Sequence, residues 1–484
     1  MANQDESRPE GLIARSLRGV SRRDVLKGMA VVAGAAAVPT ILAACSSAAT
    51  AVPSVVAPTP GASTPAASTP PASTPPASSA AVTGTVTVGS NHSDAAELKG
   101  MQAINAAFIA ANPGVTVTMN TVDHNTFQNQ ISTYLQGTPQ DDFTWFSGYR
   151  MRFFAAQGLA TAIDDVWAKV SSNYTGAFAT AVTGDDSHVY GIPVDYYPWC
   201  IFYRKSVFSG KGYTVPATWD DLKTLCTKMQ SDGLIPFAFG DKDGWPAMGT
   251  FDILNLRLNG YQFHVDLMTG KEKWTDPKVT TVFQKWAEIL PFCDTTYAGL
   301  TWEQAADKLV QKKAGMYFLG LFMTSEFAAT ENPADLADVD FFPWPTLGTQ
   351  YDTENALDAP IDIWMVSAKS STLQADLDAA KAYMEFWAKG STQVIMFQNQ
   401  PGFIPTANDA DTSTYDPLTK KAVQIVSAAK KITQFLDRDT RPDFAGANGM
   451  QSFLQKFLSS PKADPTVLQG QIQAFWDALP PATV

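Results

Sequence analysis

The sequence predicts an α/β protein in which helices cover both faces of the sheets. Segments that alternate apolar and polar residues, as strands do, are separated by segments in which apolar residues recur with helical spacing. The folded part opens with the order strand, helix, strand, which begins a βαβ unit. About 400 residues follow an atypical N-terminal segment, which is too many for one hydrophobic core and suits two or three domains.

The predicted elements follow this pattern along the chain. TVTVG (residues 85–89) and VTVTM (115–119) are predicted strands, and the helix between them carries an apolar face that begins at Leu98. Asp94 and Glu97 have the spacing of a helix N-cap and its reciprocal partner. Further strands are predicted at residues 143–146 and within 191–205, and further helices at 152–157, 218–233, 276–290, 302–311, 375–389 and 416–432.

The N-terminus predicts export. SRRDVLK (residues 21–27) precedes an apolar, alanine-rich stretch, and a cationic region followed by about 7–15 apolar residues is an export signal. The paired arginines resemble a twin-arginine signal in which Val25 replaces a phenylalanine. The alternative is a membrane anchor, which needs about 20 apolar residues without a helix breaker such as Pro39. Residues 1–44 are therefore predicted to be a signal peptide.

A lipid anchor and a tether are predicted next. LAAC (residues 42–45) resembles the bacterial lipobox, which implies that Cys45 is lipidated and anchors the protein to the membrane. Residues 46–82 are uncharged and consist almost entirely of Ala, Ser, Thr, Pro and Val. Such a composition cannot bury enough apolar area to fold. Residues 45–82 are therefore predicted to tether a folded domain to the outer face of the bacterial cell membrane.

Charge and cysteine content restrict the partners. The chain has a net charge of −12, and removal of the signal peptide makes it more acidic. An acidic protein is poorly suited to nucleic acid and well suited to a neutral small ligand. Beyond Cys45 only Cys200, Cys226 and Cys293 remain, so at most one disulfide is expected and no zinc site is predicted.

Several phrases together resemble one family. They are FIAANPGVTVTM (108–119), TWFSGYRMRFFAAQGLATAID (144–164), YGIPVDYYPWCIFYRKSVF (190–208), TWDDL (218–222), AGMYFLG (314–320) and PGFIPT (401–406). In this order they resemble the extracellular solute-binding proteins (family 1) of carbohydrate ABC transporters, the class that includes maltose-binding protein. The resemblance covers roughly residues 85–479, and Arg204 departs from the asparagine usual in the third phrase.

The resemblance implies a two-lobed, periplasmic-binding-protein-like α/β fold of type II, with the ligand in a cleft between the lobes. It places lobe one at residues 83–195 and 353–400, and lobe two at 196–352 and 401–484. It also implies a monomer that captures a carbohydrate by lobe closure and docks on ABC transporter permease subunits. The protein itself would need no cofactor and would do no chemistry.

The candidate site follows from what sugars require, which is flat aromatic surfaces for their C–H faces and planar bidentate groups for their hydroxyls. Tyr149 and Arg150 follow a predicted strand, at the sheet edge where α/β proteins bind ligands. Asn91 and His92 end the first strand in the same way. The predicted ligand-binding set is Asn91, His92, Phe146, Tyr149, Arg150, Tyr197, Trp199, Trp245, Gly320, Phe322 and Asp362.

Five aromatic residues crowd DYYPWCIFYRK (residues 195–205). Alternation puts Trp199, Ile201 and Tyr203 on one face of a strand, and we expect the rings beyond Pro198 to be mostly core. By the resemblance, the first half of the segment enters the cleft. It therefore supplies Tyr197 and Trp199 as candidates for the ligand.

Other candidates lie in later segments. Trp245 stands between Gly and Pro in a loop-rich stretch, where a core position is not expected and a stacking role is. By the resemblance, Gly320 and Phe322 match a turn that carries an aromatic ligand contact. Asp362 is preferred over Asp358 as the polar residue that turns into the cleft.

QFLDRDTRPDF (residues 434–444) is predicted to form an internal ion-pair network, with Asp437 or Arg438 as alternative ligand contacts. The main alternative function is a glycosidase that uses Asp362 with Asp437 or Asp195. No nucleophile, metal or nucleotide motif supports an enzyme, so a binding protein is favoured. A polyol, a glycerol phosphate or a peptide is the alternative ligand.

Overall fold

A computed structural model describes residues 81–370 and 373–481. The predicted signal peptide, Cys45 and nearly all of the predicted tether lie outside the described residues. Within the described residues the predicted α/β class is confirmed, since the strands form two main sheets and helices connect most of them. No helix in this part of the chain combines the length and the apolar character that a membrane span needs.

The strands are β1 (Thr83–Ser90), β2 (Gly114–Thr121), β3 (Asp142–Phe146), β4 (Ala160–Thr161), β5 (Ile192–Tyr196), β6 (Trp199–Arg204), β7 (Ile235–Ala238), β8 (Ala314–Gly320), β9 (Val339–Phe342), β10 (Ala356–Asp358), β11 (Ile361–Ser367), β12 (Ile404–Pro405) and β13 (Lys431–Thr433).

The helices are α1 (Ala95–Ala111), α2 (His124–Gln136), α3 (Tyr149–Ala156), α4 (Asp164–Val170), α5 (Gly176–Ala181), α6 (Lys205–Lys211), α7 (Trp219–Ser231), α8 (Pro246–Asn259), α9 (Tyr261–Met268), α10 (Pro277–Ala287), α11 (Trp302–Val310), α12 (Thr324–Ala328), α13 (Pro333–Ala337), α14 (Gln374–Trp387), α15 (Gly390–Asn399), α16 (Pro417–Ala428), α17 (Leu436–Asp439), α18 (Pro442–Ala445), α19 (Met450–Ser459) and α20 (Pro465–Ala478).

Two main sheets organise the chain. The larger has the strand order β12-β5-β11-β3-β1-β2, with β4 added beside β11. The smaller has the order β7-β8-β6-β9, and β10 and β13 form a separate parallel pair. Each main sheet has its own hydrophobic core, and the β10–β13 pair packs with the core of the smaller sheet. We call the part built on the larger sheet lobe one, and the part built on the smaller sheet and the β10–β13 pair lobe two.

Within the described residues the chain crosses between the lobes three times, and two of these crossings are short connections that position the site. Tyr197 and Pro198 link β5 of lobe one to β6 of lobe two, and Ala359 and Pro360 link β10 back to β11. β12 also pairs with β5, so residues 404–405 belong to the larger sheet, beyond the predicted boundary at residue 400. β10 in turn lies in lobe two, although residues from 353 onward were predicted in lobe one, and the exact lobe boundaries stay a prediction.

Local expectations were met unevenly. Thr218 caps α7, as predicted for a helix opened by this residue: its hydroxyl accepts from the Asp221 backbone N–H, and the Asp221 carboxylate accepts from the Thr218 backbone N–H. Asp94 lies at the N-cap of α1 but its side chain does not cap the helix. The helix predicted at residues 416–432 is wrong at its end, because α16 stops at Ala428 and the following residues pair with β10 as β13. Ile432 and Thr433 are β-branched, and they suit a strand once a partner strand is present.

Cysteine pairing is settled within the described residues. Cys200, Cys226 and Cys293 are all free thiols. Burial raises the pKa of the Cys293 thiol to about 12 and raises the pKa of the other two further, so all three are protonated at neutral pH. The same part of the chain holds no group of three or more metal-ligating side chains placed to bind a metal ion.

Candidate functional site

Most of the predicted site residues meet at the junction of the two lobes. The end of β3 brings Phe146 there from lobe one, and the first crossing brings Tyr197. The end of β8 brings Gly320 from lobe two, and the start of β11 brings Asp362. The fold thus gathers segments that are far apart in the sequence, and their predicted roles toward a ligand stay predictions.

An aromatic cluster occupies the lobe-two side of the junction. The Trp199 ring stacks on Phe435, with centroids 4.7 Å apart and planes 23° from parallel. Trp245 meets Trp199 edge-on at 5.8 Å, and Phe322 lies 6.3 Å from Trp199 and 5.1 Å from Tyr197. Such pairs add specific geometry to apolar burial. The prediction that the strand beyond Pro198 is core is confirmed, since every residue of β6 is buried.

Trp245 corrects one expectation. It is 1 % exposed and belongs to the hydrophobic core of lobe two, although its loop-like flanks argued against a core position. The reason is that Pro246 occupies the first turn of α8, a position that proline tolerates well, so the tryptophan stands at the start of a buried helix. A Cβ at Gly249, in the same helix, would collide with the Trp199 ring. The glycine therefore lets α8 approach the cluster.

Gly320 and Phe322 form one unit. A Cβ at Gly320 would overlap the Phe322 ring, so the glycine makes room for that ring beside Tyr197. The Phe322 ring also packs edge-on against Trp302 at 5.2 Å. Gly320 thus has a packing role that its place in the sequence motif did not reveal.

A charged pair joins the lobes beside the aromatic cluster. Arg438 of α17 donates from Nη1 to Asp362 Oδ1 at 3.0 Å, and its guanidinium lies 4.0 Å above the centre of the Phe146 ring. Its Nη2 lies 3.5 Å from the Tyr197 hydroxyl, which links the ion pair to the aromatic cluster. Asp195 on β5 stands directly opposite Asp362 on β11. Burial raises the pKa of Asp362 well above its usual range, Asp195 raises it further, and Arg438 opposes both.

The charged segment at residues 434–444 was only partly predicted. Arg441 pairs locally with Asp443 at 2.6 Å, as an internal network requires. Arg438 of α17 also reaches Asp362 in the other lobe, a contact that the sequence analysis did not predict. A pairing across 76 positions leaves no periodic signal in the sequence.

Tyr149 and Arg150 lie away from the aromatic cluster, at the start of α3. Gly148 precedes them with φ of 71°, a conformation that glycine adopts without strain, and it turns the chain from β3 into the helix. Arg150 is buried and lies 5.6 Å from the centre of the Trp145 ring. Burial raises the pKa of the Tyr149 phenol, and Arg441 counteracts this.

Arg150 also lines a groove of about 480 Å³ between the lobes, a volume in the usual range of ligand pockets. Amide side chains from α2 and α19 face each other across it, and its charges are balanced between basic and acidic groups. The lining residues are Asn125, Gln128, Asn129, Ile131, Ser132, Arg150, Phe153, Lys242, Asp243, Pro442, Asp443, Gly446, Ala447, Gln451 and Gln455.

Asn91 and His92 make contacts inside lobe one. The Asn91 amide oxygen accepts from the Thr144 hydroxyl at 2.5 Å, and its nitrogen lies 3.1 Å from the His124 ring. His92 Nδ1 lies 3.4 Å from Glu97, the residue expected to be the reciprocal partner of the Asp94 N-cap. These contacts hold the end of β1 in place, whatever the two residues add toward a ligand.

Sequence reasoning missed three residues of the junction. Gln434 and Phe435 were not selected, because the segment at residues 434–444 was interpreted by its charges alone. Asp195 was considered only as an enzymatic acid, although its pairing with Asp362 places two carboxylates side by side. An aromatic residue beside a charge-rich segment was the one available signal for Phe435.

Two lobes joined by crossing strands, with aromatic rings and a charged pair at their junction, define a two-lobed ligand-binding protein. The chain belongs to the bacterial extracellular solute-binding protein family, whose model matches residues 56–393, well over half of the sequence. Residues 19–39 match the twin-arginine translocation pathway signal sequence, as the paired arginines predicted. The family is one of binding proteins, which confirms that the chain is not an enzyme.

Individual relatives agree with the family. The chain is 26 % identical over 303 residues to an uncharacterized ABC transporter extracellular-binding protein of Pyrococcus horikoshii; the match covers 62 % of this chain and 65 % of the relative, so this chain spans just under two thirds of it. It is 22 % identical over 286 residues to a "probable sugar-binding periplasmic protein" of Rhizobium meliloti, covering 58 % of this chain and 66 % of that one.

A solved structure is more similar. The bacterial solute receptor AcbH, described as having an exclusive substrate preference for β-D-galactopyranose, is 42 % identical. The alignment covers 81 % of this chain and 98 % of AcbH, with a TM-score of 0.76. The predicted two-lobed solute-binding fold is therefore confirmed.

Proposed function

We propose that this protein captures a neutral sugar between its lobes and delivers it to the permease subunits of an ABC importer. The observation that carries the proposal is the junction itself, where the stacked rings of Trp199 and Phe435 are joined through Phe322 and Tyr197 to the Arg438–Asp362 pair. Ring faces suit the C–H faces of a pyranose, and planar charged groups suit its hydroxyl pairs.

Capture by lobe closure fits the contacts between the lobes. Arg438 and Gln434 of lobe two reach Asp362 and Ser147 of lobe one, and the rings of the junction are buried. Opening would expose these groups to solvent and to a ligand, and closing would bury the ligand with them. The closed monomer then docks on the permease, and the transport step takes place there.

The sugar we propose is D-galactose or a galactoside. Support comes from the 42 % identity with AcbH, whose preference is β-D-galactopyranose. The acidic balance of the chain favours a neutral ligand over a glycerol phosphate, because a phosphate would meet long-range repulsion. A polyol or a peptide would be bound with fewer ring-stacking contacts.

A thermal-shift screen of the purified protein tests the proposal. The panel holds D-galactose, other hexoses, galactosides, polyols, glycerol phosphate and peptides. A ligand at about 100 times its dissociation constant adds about 2.7 kcal/mol of stability, which is readily measured. A galactose hit recovered unchanged supports the proposal, whereas a response to peptides alone, or slow conversion of the sugar, overturns it.

We further propose that Cys45 carries a lipid that holds the protein on the outer face of the cell membrane. The support is the lipobox-like LAAC at residues 42–45, directly after the apolar part of the signal. A diacyl chain pair gives stable anchoring, because burial contributes about 0.8 kcal/mol per methylene group. Cys45→Ser should move the protein from the membrane fraction to the soluble exported fraction. A variant that stays in the membrane fraction would overturn the anchor.

A further inference from the structure

Gln434 crosses from lobe two to lobe one. It directly follows β13, and its side chain is fully buried. Its Oε1 accepts from the backbone N–H of Ile361 at 3.0 Å and from the hydroxyl of Ser147 at 3.3 Å. Both donors belong to lobe one, so one amide oxygen holds two strands of the opposite lobe.

The contact with the backbone fixes the orientation of the amide. The Ile361 N–H can only donate, so the Gln434 oxygen must face it and the nitrogen must point elsewhere. Within residues 81–370 and 373–481, Nε2 has no hydrogen-bond partner. A buried donor without an acceptor is unfavourable and rare in native proteins. The nitrogen is therefore placed to receive an acceptor that comes from outside the chain.

A second buried donor lies in the same neighbourhood. The indole Nε1 of Trp199 also has no hydrogen-bond partner in the described part of the chain. Its ring stacks on Phe435, the residue after Gln434. On the other side, Asp362 follows Ile361, and its carboxylate is held by Arg438. Two buried donors and a carboxylate acceptor thus belong to segments that meet at the junction.

We propose that Gln434 is a specificity-determining residue of the sugar site, whose Nε2 donates to one oxygen of a bound pyranose while its Oε1 holds lobe one. This inference rests on the proposed function. A neutral hydroxyl or ring oxygen satisfies the amide without adding charge beside Asp362. Because the same side chain contacts both lobes, the residue that selects the ligand oxygen also joins the lobes as they close.

The test uses two substitutions and one matched control. Gln434→Met removes both polar atoms at similar volume, whereas Gln434→Glu keeps the oxygen that faces Ile361 and replaces the donor with an acceptor. Ser147→Ala removes one cross-lobe hydrogen bond and leaves Nε2 untouched. Circular dichroism and thermal melting establish that each protein is folded, and if the Met variant does not fold, the Glu variant decides the outcome.

Affinities are measured by calorimetry for the hexose that binds most tightly in the panel, starting from D-galactose, and for its monodeoxy analogues. We expect both Gln434 variants to bind the parent sugar about tenfold or more weakly. We also expect one deoxy analogue, the one that lacks the oxygen contacted by Nε2, to lose affinity in the wild-type protein and not in Gln434→Met. Ser147→Ala should keep the wild-type ranking of all analogues.

The outcomes separate the two proposals. If the wild-type protein binds no sugar, the proposed function fails and this inference fails with it. If the wild-type protein binds sugar while the Gln434 variants keep its ranking of analogues, the inference alone fails. A uniform loss across all analogues overturns it too, because such a loss reports a structural role in closure.

Discussion

Replacing Arg438 with methionine should open the protein. The guanidinium is fully buried, lies 3.0 Å from Asp362 and 4.0 Å from the centre of the Phe146 ring, and comes from the other lobe. Methionine fills similar apolar volume and carries no charge. The variant thus keeps packing and removes the guanidinium that pairs with the Asp362 carboxylate in the closed junction.

The magnitude follows from the burial of the pair. Removing one partner of a buried ion pair costs about 3–5 kcal/mol, because the other charge is left without compensation. Asp195 beside Asp362 makes a lone carboxylate there less favourable still. The junction can avoid most of this cost by opening, which returns Asp362 to water. We therefore expect the open–closed equilibrium to move by about a hundredfold or more toward the open form.

Small-angle X-ray scattering of ligand-free Arg438→Met measures the opening as an increased radius of gyration. Urea unfolding measures the free energy of unfolding of the same variant. Arg441→Met is the matched control, because Arg441 lies three residues away in the same segment and hydrogen-bonds Asp443 and the carbonyl of Pro480. The control should lose some stability and keep the compact form. An Arg438→Met protein that stays as compact as the wild type would refute the reasoning.

The variant should also respond to pH. Burial and Asp195 raise the pKa of Asp362, and Arg438 lowers it; without the arginine the closed form binds a proton there more tightly. A raised pKa in the closed form means that closure is favoured below the ordinary carboxyl pKa of about 4 and weakened as pH rises. Arg438→Met should thus be open at neutral pH and close again in acid. The charges of His92 and Glu97 also act on the Asp362 carboxylate, the first lowering its pKa and the second raising it.

Three further predictions concern single residues. Asp142 is fully buried, and within the described residues neither of its carboxylate oxygens has a hydrogen-bond partner. Burial raises its pKa, so the folded protein loses stability relative to the unfolded chain as pH rises above about 4, the ordinary pKa of an aspartate. Asp142→Asn should therefore flatten the pH dependence of urea unfolding. Trp199→Phe should weaken sugar binding about tenfold in calorimetry, because it removes Nε1, and it should also lower the melting temperature, because the smaller ring leaves a cavity in the buried cluster. Thr218→Ala should lower the free energy of unfolding by about 1 kcal/mol, since it removes the cap of α7, and an unchanged urea midpoint would contradict this.

Much of the fold could be predicted because the signals are local. The strand periodicity near β1 and β2 and the threonine cap of α7 depend on neighbours in the chain, and the structure places those elements within a few residues of the prediction. The segment at residues 195–205 could likewise be divided into a crossing and a core strand, because Pro198 interrupts strand pairing. Prediction failed for β13, whose strand character depends on pairing with β10, about 75 positions away.

The site shows where local signals end. The sequence by itself determined the α/β class, the twin-arginine signal and the aromatic segment at the first crossing, because composition and periodicity express these directly. Only the tertiary structure decided that Trp245 is buried, that Arg438 pairs with Asp362 and that Gln434 bridges the lobes. The two hydrogen bonds join residues 76 and 73 positions apart, and Trp245 is buried by packing from several segments. The energy of each contact depends on partners that only the folded chain brings together.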